Sequence, residues 1–296
     1  MPTYTFTNLE TAFVGAASVF QKQLLGWDIA EAGVELRTNV TTPQAMAKFA
    51  TNDGPQPYRK QDDFDAGTFT DRTLTAFQAK YDQELDPEDF RNTYLATLPE
   101  MPFEQYAVEH AGKRFLDALM RSTLYLGVRD ATGTAAVDIC NGWGTIIAAE
   151  IAGATITPVV TGAITNANAV TKVEDVYDAS DVILKRMPSK MYCSYNLFRK
   201  YMQHYRTLNG FGFKRDEKGR YTLDGTDCEL TPVAFMGTSS RLIMTLPGNL
   251  VFGTDTGGLT SHPTRHLNLL RNRILFPAGC QIKDIGAEVL VVNDQA

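Results

Sequence analysis

The sequence predicts an α+β fold, and three observations carry that prediction. An extended stretch poor in apolar residues lies near the N-terminus, one long amphipathic helix follows it, and the second half passes from capped helices into short strands. At 296 residues the chain is long enough for one large domain or two ordinary ones. Its 44% hydrophobic and 21% charged residues are ordinary globular composition, so a sizeable core is available. The formal charge of −6 excludes a global basic field that would hold nucleic acid by counterion release.

Residues 1–20 show no basic segment leading into an apolar core, so no signal peptide is expected. The longest apolar runs, 145–154 and 288–292, are too short to span a bilayer. Cys140, Cys193, Cys228 and Cys280 lie far apart with no CxxC spacing, which predicts isolated buried thiols of a reducing compartment. The cytoplasm is the expected place of synthesis.

Taken in order, residues 1–33 carry Phe6, Leu9, Phe13, Val19, Phe20, Leu24, Leu25 and Trp27. These are anchors on a stretch with no core of its own, as in an arm that packs on something else. Residues 34–50 read as an extended limb, with Pro43 better tolerated on an edge. Residues 68–85, rich in Thr and aromatics, read as a second limb. Between them, 51–67 holds Gly54, Pro55 and Pro57 and the charges Arg59, Lys60, Asp62, Asp63 and Asp65, which break any regular element. Over 51–73 only four of 23 residues, Tyr58, Phe64, Ala66 and Phe69, are hydrophobic. Such a segment cannot bury itself, and a two-stranded ribbon alone is marginal in water. The pattern predicts a projecting hairpin completed by a neighbour; a surface loop with a local role is the plainer alternative.

A long helix is expected over 103–126, with Phe103, Tyr106, Ala107, Ala111, Phe115, Leu119 and Leu126 on one stripe and Glu104, Lys113, Arg114, Asp117 and Arg121 off it. Pro102 suits its first turn. A further domain starts near Val137. Residues 145–152 are either a buried strand or a helical turn. Thr171-Lys172-Val173-Glu174 reads as a capping box that opens a helix whose buried face is Val173, Val176, Tyr177, Ile183 and Leu184. Residues 191–193 read as a short strand, and Ser194 caps a helix with a Tyr195, Phe198, Tyr201, Met202, Tyr205 and Leu208 core face. From Arg220 the texture is β: 221–223, a turn at Asp224-Gly225, 230–236, 241–245, 250–252, and two last strands, 273–276 and 288–292, around Pro277 and Gly279.

No chemistry-bearing constellation is visible. GxGxxG, Walker A, HExxH, GxSxG and paired CxxC are all missing from the sequence. His262 and His266 are four apart, but Pro263 disfavours the helix that would aim both at one metal, and the pair reads as solvated surface histidines; His110 and His204 complete the set. Asp86, Glu88 and Asp89 read as helix-approach carboxylates before an acid/base pair. Lys214, Arg215, Lys218 and Arg220 form a mixed-charge solvated turn. No catalytic, cofactor-binding or metal-binding residue is assigned, and the chain reads as a non-enzyme that binds copies of itself.

The order of parts resembles tailed-phage major capsid proteins with the HK97-type fold. An N-terminal arm (1–33) leads to an extended hairpin (34–92), a peripheral domain with a spine helix (93–136), an axial domain (137–257) and strands returning to the peripheral domain (258–296). Thr171-Lys172-Val173-Glu174-Asp175-Val176-Tyr177-Asp178-Ala179 resembles the opening helix of the axial domain. Tyr221-Thr222-Leu223-Asp224-Gly225 resembles the hairpin turn before a recurrent Pro-Val, here Pro232-Val233, and Asn249-Leu250-Val251-Phe252-Gly253-Thr254-Asp255 resembles the segment leading back. No long charged helical segment precedes the arm, so a scaffold is expected to be separate or cleaved.

The resemblance implies hexamers and pentamers tiling an icosahedral shell around double-stranded DNA, without sequence-specific binding and with no membrane. It implies no cofactor, places the protein in the virion after assembly in the host cytoplasm, and leaves portal, scaffolding and cement proteins as candidate partners. Expected contacts between subunits are Tyr58, Arg59, Lys60, Asp62, Asp63, Phe64 and Phe69 on the hairpin and Phe13, Phe20 and Trp27 on the arm. Lys48 and Lys60 lie on the hairpin, with nothing to say whether either forms a cross-link. The rival readings are an encapsulin-like nanocompartment shell and a cytosolic enzyme whose site assembles across distance.

Overall fold

The computed structural model describes residues 29, 32–50, 68–86, 103–210, 212, 219–255, 260–266 and 269–295. Its longest strand organises the rest. β10 (Leu269–Ile282) pairs antiparallel with β4 (Phe77–Leu85) on one side and β9 (Thr260–His266) on the other, then with β8 (Leu250–Gly253) over its last four residues. β1 (Glu35–Arg37) adds to β8 in parallel. Along β10 the side chains first alternate, with Arg271 and Arg273 outward and Asn272 and Ile274 inward, and then Phe276 to Cys280 are buried on both faces. The strand therefore begins in a half-wetted sheet and ends in the core.

The helix expected over 103–126 is α1 (Phe103–Ala118), continued by one π-helical turn at Leu119–Thr123. Sixteen residues make the regular part about 24 Å long. Ala111, Phe115 and Leu119 are buried and Lys113, Arg114, Asp117 and Arg121 are exposed, as the stripe requires. Leu126 is the exception, lying past the helix end and exposed. Phe115 packs edge-on against Phe276 at 5.0 Å and against Tyr81 at 6.4 Å between ring centroids, which seats α1 on the β4–β10 sheet. The ambiguous run 145–152 lies in a helix, α2 (Trp143–Ala152). The Trp143 indole N–H donates to the carbonyls of Gln281 and Val251 at 3.2 and 3.3 Å, fastening α2 to the end of β10.

A second core surrounds a four-stranded sheet ordered β11 (Leu290–Val292), β7 (Ile243–Thr245), β5 (Lys190–Ser194) and β6 (Glu229–Val233). Against it pack α3 (Ala169–Asp178), α4 (Val182–Arg186) and α5 (Tyr195–Asn209). Ser194 caps α5, its hydroxyl accepting from the Leu197 N–H at 3.3 Å. Leu197, Tyr201 and Tyr205 form the buried centre of the α5 face, while Tyr195 and Leu208 at its ends are exposed. The Asp224-Gly225 turn forms with Gly225 at φ +73, and Thr222 bridges antiparallel to Glu229. All four cysteines are buried free thiols.

Several expectations are overturned. Thr171 does not begin a helix: α3 starts at Ala169, two residues earlier, after Asn168. Its first turn is satisfied from another element, because the Val170 N–H donates to Nδ1 of His204 at 3.0 Å. His204 is thus a buried structural group. The helix expected to run on to Leu184 breaks at Ala179, and Asp181 caps the short α4, which turns Ile183 outward. Pro277 and Gly279 do not form a turn between strands but lie inside β10. Proline gives up one ladder donor there, and Gly279 lets Thr75 come close, since a Cβ would stand 2.1 Å from the Thr75 carbonyl oxygen. The strand expected over 230–236 ends at Val233 in a 3₁₀ turn, Ala234–Met236.

Gly279→Ala should accordingly destabilise the subunit by about 2 kcal/mol or more, since the obstacle is backbone and cannot rotate away. Urea unfolding of the two proteins measures this; equal midpoints would mean that the β3–β4 corner does not hold its position against β10.

Candidate assembly surface

β2 (Gln44–Ala50) and β3 (Thr68–Leu74) form a two-stranded antiparallel ribbon, with Gln44 opposite Leu74 at its base and Ala50 opposite Thr68 at its far end. The limbs expected over 34–50 and 68–85 are each interrupted. β1 joins the body sheet before β2 begins, and the second limb breaks at Thr75 and Ala76 so that β4 pairs with β10. The free-standing stretch is therefore shorter than 34–90, and its flanks rest on their own subunit.

The ribbon base is held by a small apolar plug and several ion pairs. Met46 and Leu74 are buried with Val40 against Val251 of β8. On the face shared with Leu74, Arg72 reaches inward. It donates to the Ile282 carbonyl at 2.8 Å, to Gln281 Oε1 at 3.1 Å and to Glu150 of α2 at 2.6 Å. Lys48 pairs with Asp284 at 2.7 Å, so this lysine is engaged within its own chain. Lys283 bonds Glu35, which also accepts from Arg37 at 2.8 Å. Burial works against the Glu35 charge, but Lys283 and Arg37 outweigh it and hold the carboxyl below its ordinary 4.5.

Sequence reasoning missed this clamp. The available signal was parity, since Arg72 and Leu74 are two apart on one strand and must face the same way.

The outer face of the β4–β9–β10 sheet is a charge ladder. Arg273 forks onto Asp82 at 2.6 and 3.1 Å, and Arg271 bonds Glu84 at 2.5 Å, each pair directly cross-strand. The Arg273 guanidinium holds the Asp82 carboxyl below its usual range. Elsewhere the lone subunit leaves apolar side chains in water. Val160, Val182, Ile183 and Met187 are exposed around α4, and Leu126 and Val128 are exposed beyond the spine helix. A groove of about 430 Å³ lined in part by Ile156, Val159, Val182, Ile285 and Leu290 runs beside α4. Uncovered apolar surface of this kind marks contact sites.

Of the expected contact residues, Tyr58, Arg59, Lys60, Asp62, Asp63 and Phe64, and Phe13, Phe20 and Trp27, lie outside the described residues. Phe69 is on β3 opposite Phe49, where the backbone is described and the side chain is not. At the arm's end, Ile29 is buried in the main core and the Tyr192 hydroxyl donates to the Ala32 carbonyl at 2.9 Å. The basic turn at Lys214, Arg215 and Lys218, and Glu88 and Asp89, also lie outside the described residues. His262 is exposed on β9, a strand, which rules out the helical i,i+4 pairing with His266 on geometry. Among the described residues no group of three or more His, Cys, Asp or Glu side chains could hold a metal, and no helix is long and apolar enough to cross a membrane.

A clamped ribbon, a helix laid on a long three-stranded sheet, and a separate mixed core define an α+β protein of the HK97-type fold. Solved structures share that architecture over most of their length. A chain of the satellite phage P4 procapsid including size determination (Sid) protein aligns with TM-score 0.57 at 11% identity, covering 99% of this chain and 91% of that one. A chain from Mycobacterium phage Cain aligns at 0.51 and 12% identity, over 88% and 87%. A chain from the capsid of a native GTA particle aligns at 0.51 and 9% identity, over 89% and 88%. No family model and no curated protein matches the sequence.

Two predictions follow from the clamp. Arg72→Met should lower subunit stability by about 1–3 kcal/mol, because Glu150 and two acceptors lose a half-buried partner. It should also speed amide hydrogen exchange in β2 and β3 relative to β5, whereas uniform exchange across the molecule would contradict a local clamp. The Glu35 contribution has the sign of a depressed carboxylate: full above 4.5 and lost as the pH falls through the lower folded value. Exchange at β1 should therefore accelerate on acidification in the native protein and lose most of that dependence in Glu35→Gln.

Proposed function

We propose that this chain is a major capsid protein that assembles, as hexamers and pentamers, into an icosahedral shell enclosing double-stranded DNA. The observation that supports it most is the fold likeness to a chain of the satellite phage P4 procapsid over 99% of this chain, with a chain from a GTA capsid alike over 89%. In this reading the role is structural and not enzymatic, the place is the virion, and assembly occurs in the host cytoplasm. Portal, scaffolding and cement proteins are the further partners.

The division into arm (1–33), hairpin (34–92), peripheral domain (93–136 and 258–296) and axial domain (137–257) gives each part a task. The clamp sets the angle at which the ribbon leaves the body. The ribbon's far end, with Tyr58, Arg59, Lys60, Asp62, Asp63, Phe64 and Phe69, lies across an adjacent subunit and pairs its exposed edge groups. Phe13, Phe20 and Trp27 of the arm pack beneath another neighbour. The α4 apolar surface meets further copies. Individual contacts of modest strength sum over many per subunit, which permits errors to be corrected during growth and still gives a stable shell.

Negative-stain microscopy and size-exclusion chromatography of the purified protein test this directly. Closed particles are expected, and only small oligomers would refute it. Particles packed with a protein cargo and no DNA after infection would instead indicate a nanocompartment. Deleting residues 51–67 should leave folded subunits that make no shells; normal shells from that deletion would show that the ribbon is not the main clasp.

A further inference from the structure

The groove beside α4 joins the two cores: of its lining, Ile156 and Leu290 belong to the main core and Val291 to the second. Val182 at its edge is 77% exposed, and Val160, next to the lining residue Val159, is 81% exposed. Apolar side chains left that open mark a surface that something covers. The volume is about 430 Å³. One benzene occupies a cavity of roughly 150 Å³, so two phenyl rings would fit. The arm ends close by. The Val34 N–H donates to the Ile29 carbonyl at 3.1 Å, closing a turn at the arm's end, and Ile29 is buried in the main core. Glu35, the residue after that turn, bonds Lys283, and Ile285, two positions past Lys283, lines the groove. Residues 1–28 lie outside the described residues, and their sequence supplies a complementary surface. Leu9, Phe13, Ala16, Phe20 and Leu24 recur at the three- and four-residue spacing of one helix side, with Glu10, Thr11, Ser18 and Lys22 off it. On such a side Phe13 and Phe20 would stand two turns, about 10 Å, apart. The five steps from Ile29 back to Leu24 reach up to roughly 17 Å when extended, so the stripe begins within reach of Ile285.

We propose that in the unassembled subunit the arm of the same chain lies in this groove, with the stripe from Leu9 to Leu24 against Ile156, Val182 and Leu290. Tethering decides between the chain's own arm and that of another copy. A linked segment meets its site at an effective concentration in the millimolar range, well above that of separate subunits in dilute solution. The seat itself stands without the shell reading. What rests on that reading is its consequence: the α4 surface meets further copies only once the arm has left it, so the arm keeps free subunits apart until they assemble.

The test uses the full-length chain carrying Phe13→Cys and Val182→Cys, diluted until size-exclusion chromatography shows single subunits and then oxidised with diamide. The four native thiols are buried, and each single variant serves as a control. A link within one chain is expected, seen as a reducible monomer band of altered mobility and as a joined peptide pair in mass spectrometry. Linked dimers would assign the groove to another copy and overturn the proposal. Hydrogen exchange reads the same contact without added thiols. In the double variant Phe13→Ser, Phe20→Ser the amides of 180–183 should exchange roughly tenfold faster than in wild type. Unchanged exchange there would overturn the proposal, and this measurement decides the question where the paired cysteines do not link. Subunits that link within one chain but never form particles would sink the shell reading and leave the arm in its groove.

Discussion

The main core of this molecule is hung on β10. Fourteen residues in one strand span about 46 Å and carry four different jobs in succession. The first half takes β9 and β4 on its two edges, presents Arg271 and Arg273 to solvent and offers Phe276 to the spine helix. The second half is buried on both faces, takes β8, and gives backbone carbonyls to Trp143 and Arg72. Gly279 marks the change-over, where Thr75 comes too close for any side chain. Because one strand joins the helix, the body sheet and the ribbon base, a displacement at one of these is felt at the others.

The ribbon shows the same economy from the other side. A two-stranded ladder with few apolar residues is barely stable alone, and here its described residues are secured to the body. The apolar plug of Val40, Met46, Leu74 and Val251 is small, and charged side chains share the anchoring: Arg72 to α2 and Lys48 to Asp284. Ion pairs of this half-exposed kind are individually modest and directional.

Much of the fold was legible in the sequence where a local rule decides the outcome. The stripe of Ala111, Phe115 and Leu119, the Ser194 cap and the Asp224-Gly225 turn each depend on a few neighbouring residues, and each formed. What failed depended on distant partners. Thr171 satisfies the capping-box spacing, but His204, more than thirty positions away, supplies the acceptor at Val170 and moves the helix start to Ala169. Pro277 and Gly279 look like a turn by composition, yet β4 and β8 recruit them into one strand. The shortage of apolar residues over 51–73 led to the expectation of a segment unable to bury itself; 51–67 lies outside the described residues, and the expectation was extended too far, because β1 and β4 find partners in their own body sheet. The Arg72 clamp was legible only as parity with Leu74, since a charged residue names no partner until the fold brings Glu150, Gln281 and Ile282 to it.

The ribbon is secured by its own chain through Arg72 and Lys48, and in the proposed shell its far end is completed by another copy. A cryo-electron microscopy structure of the assembled particle tests this most directly. Residues 51–67 are expected in contact with an adjacent copy, while Arg72 keeps Glu150 and Lys48 keeps Asp284 within the chain. A ribbon lying wholly on its parent subunit, with no neighbouring copy touching 51–67, would contradict it.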